Sequence, residues 1–256
     1  MNEKIKTFLA HTTNVAITGI ATAAGTAVAG PDGAVVGSMV GQSVTGVLGE
    51  FAERMLSARE TQRVLVTAEL TIADIRQRLS SGDRPRDDGF FDRATNGRSQ
   101  AEEIFEGVLL KAKAEHEEKK TRCYSRIFTT AAFQSNVSHS SANYYLHLTE
   151  SLTYTQLVLL ELFGEAGRFK LRDVEYATVS PDQLAAIAAA FELFRRGMIL
   201  CRHKDPESKG TEYLLEMGEL RPAHLSLTAL GNHVRVAAGL REIDQNDLNE
   251  MACLLQ

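Results

Sequence analysis

A chain of 256 residues has room for one large domain or two modest ones, and its formal net charge of −5 excludes a global positive field that would recruit nucleic acid or acidic lipid. Trp is absent, Pro numbers only five, and Ala, Leu and Glu are frequent, a balance that favours helix. Cys123, Cys201 and Cys253 are odd in number and far apart, without Cys-x-x-Cys spacing, so neither a disulfide framework nor a zinc site is indicated and a reducing cytoplasm fits.

Lys4 and Lys6 precede an apolar stretch, as in a secretory signal, but the stretch is rich in Gly and Thr and continues past a turn, which marks retained structure. Between Lys6 and Asp32 the only ionisable side chain is His11, and between Asp32 and Glu50 there is none. Each stretch is near the ~20 residues that a helix needs to cross a bilayer core. Gly30-Pro31-Asp32-Gly33 is strong turn chemistry, so residues 1–56 read as an antiparallel helical hairpin. Small residues recur in it every fourth position, at Ala21, Gly25, Ala29, Gly33, Gly37, Gly41, Thr45 and Gly49. Glycine costs roughly 1 kcal/mol against Ala inside a helix, and close approach of two backbones is the reason to keep several. Gly25, Gly33, Gly37, Gly41 and Gly49 are therefore the candidate helix-packing and pore residues. The many Thr and Ser residues suit a wet pore wall or tight bundle, with the core of a soluble oligomer as the competing setting.

Residues 57–150 read as a helical linker and assembly region. In the long amphipathic helix to Leu79, Phe51, Ala58, Leu65, Ile72 and Leu79 fall seven apart, while the neighbouring seam positions turn polar at Gln62, Glu69 and Arg76. Arg54, Arg59 and Arg63, with Lys4 and Lys6, put positive charge on both sides of the hairpin, as expected if both ends are cytoplasmic. Residues 80–98, polar and Gly-containing, predict an exposed mobile loop. Ser99-x-x-Glu102 is a capping box that opens a helix running through the charged Lys111–Arg122 segment to Phe128 or Phe133. In that segment Glu117-Glu118-Lys119 contains a Glu-x-Lys triplet known from metal-dependent nucleases, but a charged helix predicts a solvated face instead. Tyr124, Phe128, Phe133, Tyr144, Tyr145 and Tyr154 at helical spacing predict core and interface.

Residues 151–241 change texture. A helix over Leu152–Phe163 precedes a short extended Phe169-Lys170-Leu171; Ser180-Pro181-Asp182 then caps a helix that stops at Gly197. Strands are predicted at Met198–Cys201, Tyr213–Leu215 and Ala223–Leu227, followed by a helix over Thr228–Leu240 and a tail at 242–256. This order resembles a winged-helix domain. The helix that would enter DNA has Leu184, Ile187, Phe191 and Phe194 as its expected core face and alanine opposite, which argues against sequence-specific duplex binding. Arg195, Arg196, Arg202 and Lys204, with His203 and Lys209, form a basic group that could take an anionic, phosphate-bearing ligand, with a solvated basic edge as the alternative. Nucleophile elbow, phosphate-cradling loop, dinucleotide fingerprint and zinc-protease helix are all absent from the sequence. No catalytic residue, metal ligand or cofactor is therefore assigned, and the chain reads as a non-enzyme.

The fold class is thus mainly α: a glycine-zipper hairpin, central long helices and a winged-helix-like α+β end. In organisation, the Gly33/Gly37/Gly41 hairpin joined to central helices and a winged-helix-like end is similar to small membrane effectors of bacterial anti-phage defence. It looks most like the channel-type effectors paired with a nucleotide-signal synthase, of the Hailong kind. The resemblance implies a homo-oligomeric pore in the inner membrane with cytoplasmic domains that sense a nucleotide or oligonucleotide. It rests on organisation alone and transfers no site residue. A soluble oligomeric regulator and a winged-helix DNA-binding regulator are the alternatives.

Overall fold

In the computed structural model the described residues are 58–92, 97–165, 167–173, 178–202, 211–212 and 216–256. The expected hairpin at 1–56, with Gly25, Gly33, Gly37, Gly41 and Gly49, lies outside them, as does Lys204. The chain divides into two units, Met1–Glu150 and Ser151–Gln256. The protein is mainly helical, and among the described residues no helix is long and apolar enough to cross a membrane.

In the first unit, α1 (Ala58–Ser80), α2 (Gln100–Ala114) and α3 (Thr121–Phe133) pack against one another, and α4 (His139–Ser151) follows. Helix α1 ends where Gly82, at φ +87°, turns the chain, with the Gly82 and Asp83 amides donating to the Leu79 and Arg78 carbonyls. Its buried face is Val64, Thr67, Ala68, Thr71, Asp74 and Ile75. That face is partly polar: the Thr71 hydroxyl donates to Ser125 Oγ at 3.0 Å, and Asp74 pairs with Arg126 of α3 at 3.2 Å. The expected seam, Leu65, Ile72 and Leu79, runs along the flank and stays half-buried.

Helix α2 begins at the predicted capping box, with Ser99 Oγ accepting from the Glu102 amide and the Glu102 carboxylate accepting from the Ser99 amide. One expectation for this region holds and one is corrected. The stretch 80–92 is a loop, largely exposed as expected, and part of it is tied down as a strap. The Arg86 guanidinium donates to the carbonyls of Ala131 (3.2 Å) in the last turn of α3 and of Gln134 (3.4 Å), Ser135 (3.3 Å) and Val137 (2.6 Å) beyond it, grips Asp88, and lies over the Phe90 ring. Phe90 is 1 % exposed. Arginine suits this place because helix C-termini leave carbonyls unsatisfied. The long helix expected from Ser99 to Phe133 is broken. It stops at Ala114, passes through a 3₁₀ turn at Glu118–Lys120, and resumes as α3.

In the second unit, α5 (Tyr154–Gly164) is central and packs against α6 (Pro181–Arg195), α7 (Ala229–Ala237), α8 (Gln245–Leu254) and the sheet. Its residues from Gln156 to Phe163 are all buried, as expected of a helix surrounded on every side. The sheet has three antiparallel strands in the order β2-β1-β3, from β1 (Ile199–Arg202), β2 (Thr211–Glu212) and β3 (Leu225–Leu227). Helix α7 comes so close to β1 that a Cβ on Gly231 would lie 2.0 Å from the Met198 carbonyl oxygen. The expected tail is part of this core: Leu248, Ala252 and Leu255 are buried, and α8 lies against α5.

The expected core face of α6 is rotated. Ala186, Ile187, Ala190 and Leu193 are buried, Leu184 is 40 % exposed, and Phe191 and Phe194 are half-buried with rings stacked at 6.4 Å. Small alanines let α6 lie close to its neighbours, which sends the larger apolar side chains outward.

Candidate functional site

The basic group begins where α6 ends. Its C-terminus forms a Schellman turn: Gly197, at φ +68°, donates to Phe194 O and Met198 N donates to Leu193 O. This leaves Arg195 and Arg196 exposed at the last turn, where Arg196 donates to Ser151 Oγ at 2.8 Å. Arg202 is exposed at the far end of β1. A four-residue strand rises about 3.3 Å per residue, so the backbone puts Arg202 about 10 Å beyond the strand's start. Arg195 and Arg196 thus precede β1, and Arg202 closes it.

The chemistry most concentrated among the described residues sits between α2 and α3. Glu115 caps α2 in extended conformation, and one carboxylate oxygen accepts from the amides of His116 (2.9 Å) and Glu117 (3.0 Å). The other accepts from the Tyr124 hydroxyl and pairs with Lys120 Nζ at 2.7 Å. Lys120 also donates to the Glu150 carbonyl at 3.1 Å, which ties the turn to the end of α4. Lys120 and Glu115 are only 3 % and 5 % exposed. Here lies the reason the predicted helix breaks: a side chain that satisfies its own neighbouring amides competes with the helical ladder. Burial pushes the Glu115 carboxyl up, but the hydrogen bonds from Lys120, Tyr124 and the Glu117 amide outweigh it and hold Glu115 below its ordinary 4.5. Burial and the bond to Glu115 drive the Tyr124 hydroxyl well above its ordinary value.

Glu115, His116 and Glu117 each offer a ligand atom, all within 4.8 Å of one another, a spacing compatible with a cation. The donor set does not fit one. Both Glu115 oxygens already take two donors each, using the roughly four acceptor sites of a carboxylate, and one donor is an ammonium. Of the Glu117-Glu118-Lys119 triplet, Glu118 and Lys119 are exposed in the 3₁₀ turn and Glu117 caps it, and none lies on a strand. Glu115, Lys120 and Tyr124 thus form a lock for the helix ends.

The second unit has its own lock. Arg235 of α7 grips Glu161 of α5 with two parallel bonds of 2.7 Å, at 8 % and 1 % side-chain exposure. Those bonds raise the Arg235 pKa in spite of its burial. Gly164 makes room for the guanidinium, since a Cβ there would lie 2.4 Å from Arg235 Nε. Glu161 carried a sequence signal, a lone carboxylate within Leu157–Phe163. Lys120 carried none, because it sat in a run of charges that periodicity reads as solvated. Of the central aromatics, Tyr124 and Phe128 are core, whereas Tyr144 is 48 % exposed.

No protein-family model matches the chain, and comparison with curated proteins and with solved structures likewise gave no match. The class that can be stated is therefore structural: a mainly helical protein of two units, with a small antiparallel sheet in the second.

Proposed function

We propose that this chain is an oligomeric, membrane-associated pore- or channel-type effector, acting in bacterial anti-phage defence. Residues 1–56 form the membrane hairpin at the inner membrane, and the two helical units form a cytoplasmic body that assembles and gates it. One observation carries the reading. Gly33, Gly37 and Gly41 fall four apart in a stretch without an ionisable side chain between Asp32 and Glu50, a pattern whose main physical use is close packing of helices in a bilayer. The element order of the second unit supports a winged-helix-like sensing module. With Leu184 and alanines on its outer side, α6 suits a protein partner better than base edges. Arg195, Arg196, Arg202 and Lys204 are the candidate contacts for a nucleotide or oligonucleotide signal. Gating requires that this ligand bind one of two states more tightly.

Membrane fractionation with an ion-leak assay tests the proposal. The full chain should sediment with membranes and dissipate the potential, and Gly37→Leu should abolish leakage by blocking close approach. A chain that stays soluble and leaves the potential intact overturns it. A large, detergent-independent oligomer that never binds liposomes would instead establish the soluble regulator.

A further inference from the structure

Helix α4 is held to the first unit more thinly than its neighbours. Of its thirteen residues only Ala142, Leu146 and Thr149 are buried, whereas α2 buries seven of fifteen and α3 eleven of thirteen. Those three form one narrow strip, at i, i+4 and i+7. Its apolar content is a single alanine and a single leucine. Leu146 sits over Gly107 of α2, where an added Cβ would lie 3.1 Å from Leu146 Cδ2. The third member weakens the strip. Thr149 is 0 % exposed, and its hydroxyl has no hydrogen-bond partner among the described residues. A hydroxyl buried without a partner forfeits its bonds to water, so docking is opposed at that position.

Polar clasps hold the two ends. His139 Nε2 lies 3.0 Å from Glu103 Oε2, and Lys111 Nζ donates to Glu150 Oε2 at 2.5 Å. All four side chains are half-exposed or more, and ion pairs open to water and salt add little. The Lys120 bond to the Glu150 carbonyl gathers the second anchor of the C-terminal end on the same residue. Glu103–His139, Gly107–Leu146 and Lys111–Glu150 follow one another in the same sense, so α4 lies parallel to α2. Away from α2 the helix has little support of its own. Thirteen residues are marginal for a helix in water, and His, Ser, Asn, Tyr and Thr, which make up most of α4, are weaker helix formers.

We infer that α4 is a releasable connector, which undocks from α2 and melts as one unit while α1, α2 and α3 stay folded. The second unit begins at Ser151, directly after the last residue that α2 and the 3₁₀ turn hold. Docked, α4 joins that unit to α2 through a helix; released, it joins them through a flexible tether. Anything that binds one of the two states better shifts the balance between them. Neither state requires a membrane, so the connector is independent of the pore reading.

Hydrogen exchange of the full chain tests the connector. Peptides covering 139–150 should exchange at least about tenfold faster than those covering α2 and α3. Thr149→Val replaces the unpartnered hydroxyl by a methyl group of the same shape and should slow exchange in α4 at least about threefold, a gain that misfolding would not give. Gly107→Val pushes Leu146 away and should speed exchange in α4 at least about tenfold, with α2 and α3 unchanged. Valine is no worse than glycine inside a helix, so α2 itself is not weakened. Chymotrypsin gives a second readout, because Tyr144 and Tyr145 lie within α4 and a helix must open before a protease can cut it. Cleavage there should rise in Gly107→Val and fall in Thr149→Val. Exchange of α4 in step with α2 and α3, an unchanged rate in Thr149→Val, or acceleration of all three helices together by Gly107→Val overturns the connector and makes α4 part of the common core.

Discussion

Replacing Lys120 by Met puts the first lock to a quantitative test. The ammonium is 3 % exposed and stands 2.7 Å from a carboxylate that is itself 5 % exposed, so the substitution strands a buried negative charge. Breaking such a pair from one side costs about 3–5 kcal/mol. The lower end applies, because the Tyr124 hydroxyl and two backbone amides still hold the carboxylate. Part of that cost is the lost bond from Lys120 to the Glu150 carbonyl. About 3 kcal/mol raises the population of the opened state more than 100-fold. Trp is absent from the chain, so hydrogen exchange of peptides covering α3 is the direct readout, and protection there should fall by that factor. Lys120→Met combined with Glu115→Gln should cost less than the two changes summed, because the second removes the charge stranded by the first. The penalty should also shrink as pH falls and Glu115 takes up a proton. A loss of protection under threefold, with an additive double mutant, would refute the lock.

The remaining predictions concern the strap, the second unit and pH. Arg86→Ala removes donors to four carbonyls in and past the last turn of α3, at about 1.5–3 kcal/mol per charge-assisted bond before relaxation, and should expose 82–92 to limited proteolysis; unchanged cleavage would count against the strap. Gly231→Ala drives a methyl group into the Met198 carbonyl and should cost at least about 2 kcal/mol in chemical denaturation, with Gly218→Ala, which meets open space, as the neutral control. Arg235→Met should cost about 3–5 kcal/mol, and adding Glu161→Leu should recover most of it; a second change that only adds to the first would show that Glu161 does not depend on the pair. Because Glu115 titrates lower folded than unfolded, its contribution is complete at neutral pH and is lost as pH falls below 4.5 through the folded value. Tyr124 is shifted upward, so its contribution is lost as pH rises past 10.0, and one of the six tyrosines should withhold its tyrosinate absorbance until the chain unfolds.

Much of the local structure was legible. Ser99, Ser180 and Thr228 all open helices as read, with side-chain oxygens accepting from Glu102, Gln183 and Gly231 amides, and Gly197 closes α6. Caps and turns are satisfied by atoms within a few residues, so the neighbouring sequence suffices to place them. The candidate site was less legible. Arg195 and Arg196 lie at the end of α6 and Arg202 at the end of β1, and chain order alone does not show how the intervening turn and strand set them apart.

What the sequence alone determined is the helical character, the helix starts after Ser99, Ser180 and Thr228, the stop at Gly197, a strand just after it (expected at Met198–Cys201, found at Ile199–Arg202) and the seven-residue stripe on α1, each a matter of local hydrogen bonding or periodicity. Tertiary structure alone decided that the charged run at 115–120 would fold inward, that Arg86 would strap 82–92 to α3, and that alanines rather than phenylalanines would line the core side of α6. The physical reason is shared by all three. A charged side chain is buried when partners distant in the chain can satisfy it, and a helix buries the face whose shape its neighbours accept, and neither condition is written in the residues nearby.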